Sequence, residues 1–166
     1  MRLMIFLQGT VLMHQAGIDR TRAERVEQSR VGTDPSLRDS ATYVPIGDAA
    51  QKLRSWDAQG ARIAYLTSHR DPEEVARDAA VLVRHGFPSG RLLSRGPEMS
   101  YGDVVEREMP DIFVEDDCES IGAGEIAYFQ VGSDLRRRIR SVIVPEFGGI
   151  DHLPDSLSSL NGTPPS

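Results

Sequence analysis

Three short polar clusters hold most of the side chains in this sequence with the means to do chemistry. They are Gln8-Gly9-Thr10, Thr67-Ser68-His69-Arg70 and Glu115-Asp116-Asp117-Cys118-Glu119. The adjacent carboxylates Asp116 and Asp117 are the ligand type that a hard cation such as magnesium prefers. With Glu115 and Glu119 beside them they repel one another, and a cation relieves that repulsion. Thr10, Thr67 and Ser68 bring hydroxyls. His69 titrates near neutrality, so His69, Asp116 or Asp117 could serve as general base on a metal-bound water. The same residues also have plainer readings. Asp116-Asp117 can cap a helix after a strand, Thr67 and Ser68 can cap a turn, and His69 can be an ordinary rim residue. Cys118 reads as inert packing, because neighbouring acids suppress its thiolate. Asp151-His152, after Phe147-Gly148-Gly149, either bends back to the site or forms a turn.

Each cluster directly follows an apolar run, and those runs are what must position it. Leu3 to Leu7 is uninterruptedly apolar, as in a strand covered on both faces. Gly9 then permits a sharp turn. Ala61 to Leu66 and Asp111 to Glu115 read as further buried strands, and Arg91 to Ser94 as a short one. Between them lie helical signals. Pro45 to Gln59 places Ala50, Leu53 and Trp56 on one face, with Gly60 as stop. Asp71-Pro72-Glu73-Glu74 is a strong helix start, with Val75, Ala79 and Leu82 as the expected buried stripe. Tyr101 to Met109 forms a helix stopped by Pro110. Ile18 to Ser29 is expected to be helical with Asp19 as cap and Ala23 and Val26 inward. Ala127 to Val131 is expected as a strand, Ser133 to Arg140 as a helix with Arg136, Arg137 and Arg138 outward, and Ser141 to Val144 as a last strand. Residues 161–166 read as a frayed tail.

Strands alternating with helices predict a three-layer α/β domain over residues 1–160. Its central parallel sheet has the first strand in the middle. In such a sheet the three clusters converge at one edge, where open α/β folds bind ligands. The segment 13–44 is expected to be a flap that carries His14, Arg20 and Arg22 over that edge, or else a solvated surface helix.

Composition narrows the function classes. The net charge of -6 argues against general nucleic-acid affinity. The single cysteine excludes an internal disulfide and fits a reducing cytosol, so a cytoplasmic location is expected. No apolar run reaches a membrane span, and the apolar N-terminus lacks a signal-peptide cleavage pattern. The one lysine, Lys52, limits any catalytic lysine to a single candidate. Self-association is left open.

The strand-end clusters resemble, in order and chemistry, motifs one, two and four of the haloacid dehalogenase-like (HAD) superfamily. Its first motif is Asp-x-Asp-Gly-Thr, here Phe6-Leu7-Gln8-Gly9-Thr10. The resemblance implies a phosphoryl-binding hydroxyl at Thr67, paired magnesium ligands at Asp116 and Asp117, and a third-motif basic residue, for which Arg95 is the nearest match. It also implies that the flap occupies the place of the family's small cap. The family's nucleophile and its acid/base fall at Phe6 and Gln8, and neither side chain can do that work. The Gln8 backbone carbonyl remains available as a metal ligand. The expected protein is a degenerate HAD-like one. It would bind a small phosphorylated or anionic ligand through Gln8, Gly9, Thr10, Thr67, Ser68 and Arg95, with magnesium on Gln8, Asp116 and Asp117, and without aspartyl-phosphate chemistry. Two alternatives stand beside it. One is an enzyme with a rebuilt site, a metal- or His/Asp-assisted hydrolase or lyase. The other is a non-catalytic interaction module, in which the acids would be tied up in backbone hydrogen bonds.

Overall fold

The computed structural model describes residues 1–162. Five parallel strands form the central sheet: β1 (Arg2–Phe6), β4 (Arg62–Leu66), β5 (Arg91–Leu93), β6 (Ile112–Asp116) and β7 (Arg140–Val144). Their order across the sheet is β5-β4-β1-β6-β7, which puts β1 in the middle as expected. Met4 stands opposite Ala64 on one side and Phe113 on the other. The alternation of a strand's side chains then divides the core in two. Leu3 and Ile5 face a layer that includes Leu53 and Trp56 of α2 (Ala49–Ala58), Val81 and Leu82 of α3 (Pro72–Arg84), and Leu160 of α6 (Leu157–Gly162). Met4 and Phe6 face Val104 and Val105 of α4 (Tyr101–Glu108), with Ala127, Val131 and Ile139 alongside. Both faces of β1 are covered, so its apolar run needs no polar interruption.

Helix α3 begins as the sequence indicates. Asp71 accepts hydrogen bonds from the backbone of Glu73 and Glu74, and Pro72 occupies the first turn. Its buried stripe differs from the expected one. Ala79 is exposed, and the positions turned inward are Asp78, Val81 and Leu82. Counting apolar residues alone misses this phase, because one inward position is a carboxylate.

The segment between β1 and α2 also departs from expectation. Helix α1 spans Arg22–Val31 and is started by a reciprocal capping box of Thr21 and Glu24, not by Asp19. Asp19 instead adopts a left-handed conformation (φ 57°) in the preceding turn. Val26 is buried, whereas Ala23 is exposed. Pro45 does not open α2. Val44–Pro45 (β3) pairs antiparallel with Leu12–Met13 (β2), and α2 begins four residues later at Ala49.

Four further expectations are corrected near the C-terminus. Residues Ala127–Gln130 form a 3-10 turn, not a strand. The Glu115 carboxylate takes the Ala127 and Tyr128 N–H groups at 2.8 Å each, which diverts them from any sheet ladder. Helix α5 is only Ser133–Arg136, and Arg140 already belongs to β7. Arg136 lies over the Tyr128 and Phe129 rings instead of pointing freely outward. Asn161 and Gly162 complete α6 instead of fraying, and 163–166 lie outside the described residues. No helix among the described residues is long and apolar enough to cross a membrane.

Candidate functional site

The carboxyl ends of β1, β4 and β6 open into a cleft of about 180 Å³. Its floor and rim include Gln8 and Gly9 after β1, Ser68 after β4, and Asp116 at the end of β6. Met13, His14, Ser29, Leu37 and Tyr43 cover it from the segment between β1 and α2. That cover is strapped on both sides. Arg22 pairs with Glu119 at 2.6 Å, Arg25 donates to the Phe147 carbonyl at 3.0 Å, and Arg84 of α3 donates to the Ala41 carbonyl at 2.6 Å. His14 is buried and exchanges a hydrogen bond with Gln28 at 2.8 Å, its ring edge-on to Phe147. Arg20 instead pairs with Glu24 within its own helical neighbourhood.

Phe6, at the end of β1, packs edge-on against Tyr101 with ring centroids 5.2 Å apart. Both rings line the cleft. Arg95 lies behind them, its guanidinium carbon 3.7 Å over the Tyr101 ring, and does not form part of the cleft wall. Cation and ring attract each other at that distance.

A side chain at Gly9 would be strained. Its φ is +85°, and a Cβ there would lie 3.0 Å from Asp116 Oδ1. Asp116 therefore packs directly over the β1 turn. Its Oδ1 accepts the Thr10 hydroxyl at 2.8 Å, and its Oδ2 accepts the Cys118 backbone N–H at 3.1 Å. Burial pushes its pKa up to about 6. Asp117 turns the other way, and its Oδ1 accepts the N–H groups of Glu119 and Glu146 at 3.3 and 3.1 Å. Glu115 is buried and raised to about 8 by desolvation, while its two backbone donors oppose that shift. Burial and the neighbouring acids raise the Cys118 thiol as well. Every acid of this cluster thus has a structural partner.

That donor set does not fit a divalent cation as it stands. The Asp116 oxygens and Asp117 Oδ1 already close the turns after β6, so they are held by Thr10 and backbone N–H groups in an arrangement set by those turns. Among the described residues, no group of three or more His, Cys, Asp and Glu side chains is arranged to hold a metal ion.

A second polar cluster lies at the end of β4, built around a residue that the sequence reading did not single out. Asp78 of α3 is completely buried. Its Oδ2 accepts the Thr67 hydroxyl at 2.6 Å and the His69 Nδ1–H at 2.8 Å, and its Oδ1 accepts the Gln8 side-chain amide at 3.4 Å. The Gln8 amide oxygen accepts the Ser68 backbone N–H at 2.9 Å. His69 is held above its usual pKa, first by the hydrogen bond to Asp78, against desolvation. Its ring lies 6.5 Å from that of Tyr43. The Thr67 hydroxyl is thus spent on an internal carboxylate. The signal for Asp78 in the sequence was its spacing of three from Val75 and Val81, which places it on the inward phase of α3.

Glu146, also missed, follows β7 and lines the cleft while accepting the Ser120 backbone N–H at 2.6 Å. Lys52 is tied to Asp155 and the Leu153 carbonyl, away from the cleft. Asp151 accepts the Asp48 N–H at the start of α2, and His152 is exposed. The pair is a turn and does not bend back to the site. A scan against protein-family models finds no match to this chain, and neither does a search of curated proteins.

Proposed function

We propose that this chain is a HAD-like protein that has lost phosphoryl transfer and binds a small, uncharged organic ligand in the cleft above β1. The observation that carries this reading is the composition of the cleft wall. Phe6, Tyr43, Tyr101 and Phe147 supply an aromatic lining, Asp116, Glu125 and Glu146 supply the charges, and no lysine or arginine among the described residues takes part. Apolar walls with a few polar groups are what small-molecule sites use to bind and orient. The phosphorylated or anionic ligand expected from the sequence would meet three carboxylates and no lysine or arginine in the wall, at a cost in Coulomb energy. Ser68, in the cleft wall, provides a polar contact that orients a neutral molecule.

A fragment screen by protein-observed NMR tests this. Neutral aromatic or aliphatic fragments are expected to shift the Gln8, Gly9 and Tyr101 resonances, and inorganic phosphate is expected to leave them unchanged. Phosphate binding at those residues would restore the anionic-ligand reading. Silence of the cleft toward every neutral fragment would favour an interaction module.

A further inference from the structure

Most hydrogens on the polar side chains of the cleft wall are committed within the protein. Both Ser120 donors, its N–H and its hydroxyl, go to the Glu146 carboxylate at 2.6 and 2.8 Å. The Ser29 and Ser120 hydroxyls lie 3.1 Å apart, and because the Ser120 proton goes to Glu146, Ser29 is the donor between them. The Tyr43 hydroxyl donates to the Leu37 carbonyl at 2.7 Å. The Gln28 amide nitrogen donates to the Ala16 carbonyl at 3.1 Å, which leaves its oxygen to face His14. His14 Nε2 is therefore the donor in that pair, and the neutral ring keeps its lone pair on Nδ1. His14, Ser29, Tyr43, Ser120 and Glu146 all line the cleft, and what they hold in reserve is lone pairs. Glu146 is buried, and among the described residues each of its side-chain oxygens accepts a single hydrogen bond. Only the hydroxyls of Ser68 and Tyr101 keep an uncommitted hydrogen in that wall among the described residues.

We propose that the cleft recognises a neutral hydrogen-bond donor, an aromatic alcohol in class, whose hydroxyl hydrogen goes to the corner formed by Ser29 and Glu146. This rests on the reading that the cleft binds an uncharged organic molecule, and it adds the polarity of the group that orients that molecule. The Ser29 to Ser120 to Glu146 chain runs in one direction and ends on a carboxylate, so that corner has no hydrogen to offer. A ligand that is only an acceptor would set lone pair against lone pair there, and would strip water from a buried carboxylate without replacing its hydrogen bonds. A hydroxyl answers the same oxygens with its hydrogen. The rings of Phe6, Tyr43, Tyr101 and Phe147 favour an aromatic body behind that hydroxyl. Binding and orientation then divide between the two parts of the ligand, as small-molecule sites commonly arrange.

The test titrates the full chain with benzyl alcohol, benzyl methyl ether and benzylammonium, and reads Kd from the NMR shifts of Ser29, Tyr101 and Glu146. A pH of about 7.5 keeps Asp116, raised to about 6, ionised and so without a hydrogen of its own. The alcohol is expected to bind ~10-fold or more tighter than the ether, the size of one hydrogen bond to a charged acceptor. Glu146→Gln puts an amide donor into the corner, and Ser29→Ala removes a lone pair while leaving both Ser120 bonds to Glu146 in place. Each is expected to lower the alcohol-to-ether ratio, Glu146→Gln to about threefold or less. Should Glu146→Gln fail to fold, Ser29→Ala carries the comparison. A wild-type ratio near one, with both molecules shifting the cleft resonances, overturns the donor assignment and leaves the uncharged-ligand reading standing. A ratio that survives unchanged in the folded variants comes from the bulk of the ether methyl and overturns the corner. Benzylammonium binding more tightly than the alcohol overturns the uncharged-ligand reading itself.

Discussion

Replacing Asp117 with alanine separates the two roles that its position allows. The perturbation removes one acceptor oxygen shared by the Glu119 and Glu146 N–H groups. Hydrogen bonds to a charged acceptor contribute about 1.5–3 kcal/mol each when buried. Asp117 is half-buried and both contacts are longer than 3.0 Å, so the pair is worth about 2 kcal/mol together. For a chain of this size that is a fall in Tm of ~4–8 °C. The metal reading makes the opposite forecast, since removing a carboxylate from a crowded acidic cluster relieves repulsion in the empty protein.

Urea denaturation with and without about 10 mM magnesium chloride completes the assay. A site with a Kd of about 1 mM would stabilise the wild type by about 1.4 kcal/mol at that concentration. The hydrogen-bond pattern around Asp116 and Asp117 leads us to expect less than about 0.3 kcal/mol. The capping argument is refuted if magnesium stabilises the wild type by a kcal/mol or more, and if Asp117→Ala loses that increment without losing stability in its absence.

Four further outcomes follow from the same geometry. The wild type is expected to show no magnesium-dependent hydrolysis of 4-nitrophenyl phosphate, because Phe6 offers no nucleophile. Phe6→Asp is expected to cost about 3 kcal/mol or more in urea titration, by burying a charge against Tyr101. Gly9→Ala combines a left-handed backbone with a Cβ 3.0 Å from Asp116. It should destabilise by about 1–3 kcal/mol, read as a shift in Tm, and should perturb the cleft resonances. Glu115 is held at about 8 in the fold against an ordinary 4.5. A raised acid makes its full contribution below the lower value, and that contribution fades as pH rises through the higher one. Stability is therefore expected to fall by about 3–5 kcal/mol between pH ~4.5 and ~8 on its account, and Glu115→Gln should flatten that fall.

The parts of this molecule that were legible in its sequence are those governed by local rules. The run from Leu3 to Leu7 could only be a strand covered twice, and Asp71-Pro72 could hardly do other than start a helix. The convergence of Gln8, Ser68 and Asp116 then follows from parallel strands ending at one edge. What escaped was set by partners distant in the chain. The apolar stretch from Ala127 to Val131 reads as a strand, but the Ala127 and Tyr128 N–H groups go to Glu115, and no propensity encodes that bond. Asp117 has metal-ligand chemistry, but Glu146, 29 residues on, supplies a donor that turns it into a cap. Asp78 was invisible for a different reason. A search for polar clusters at strand ends passes over a lone acid in the middle of a helix, and a search for apolar stripes discards it. Only its phase, shared with Val81 and Leu82, marks it as inward. A buried carboxylate on a packing face has to be answered by donors, and here the donors are the residues at the ends of β1 and β4. The chemistry of the strand ends is therefore organised from behind, by a helix, and not by the acidic pair that first drew the eye.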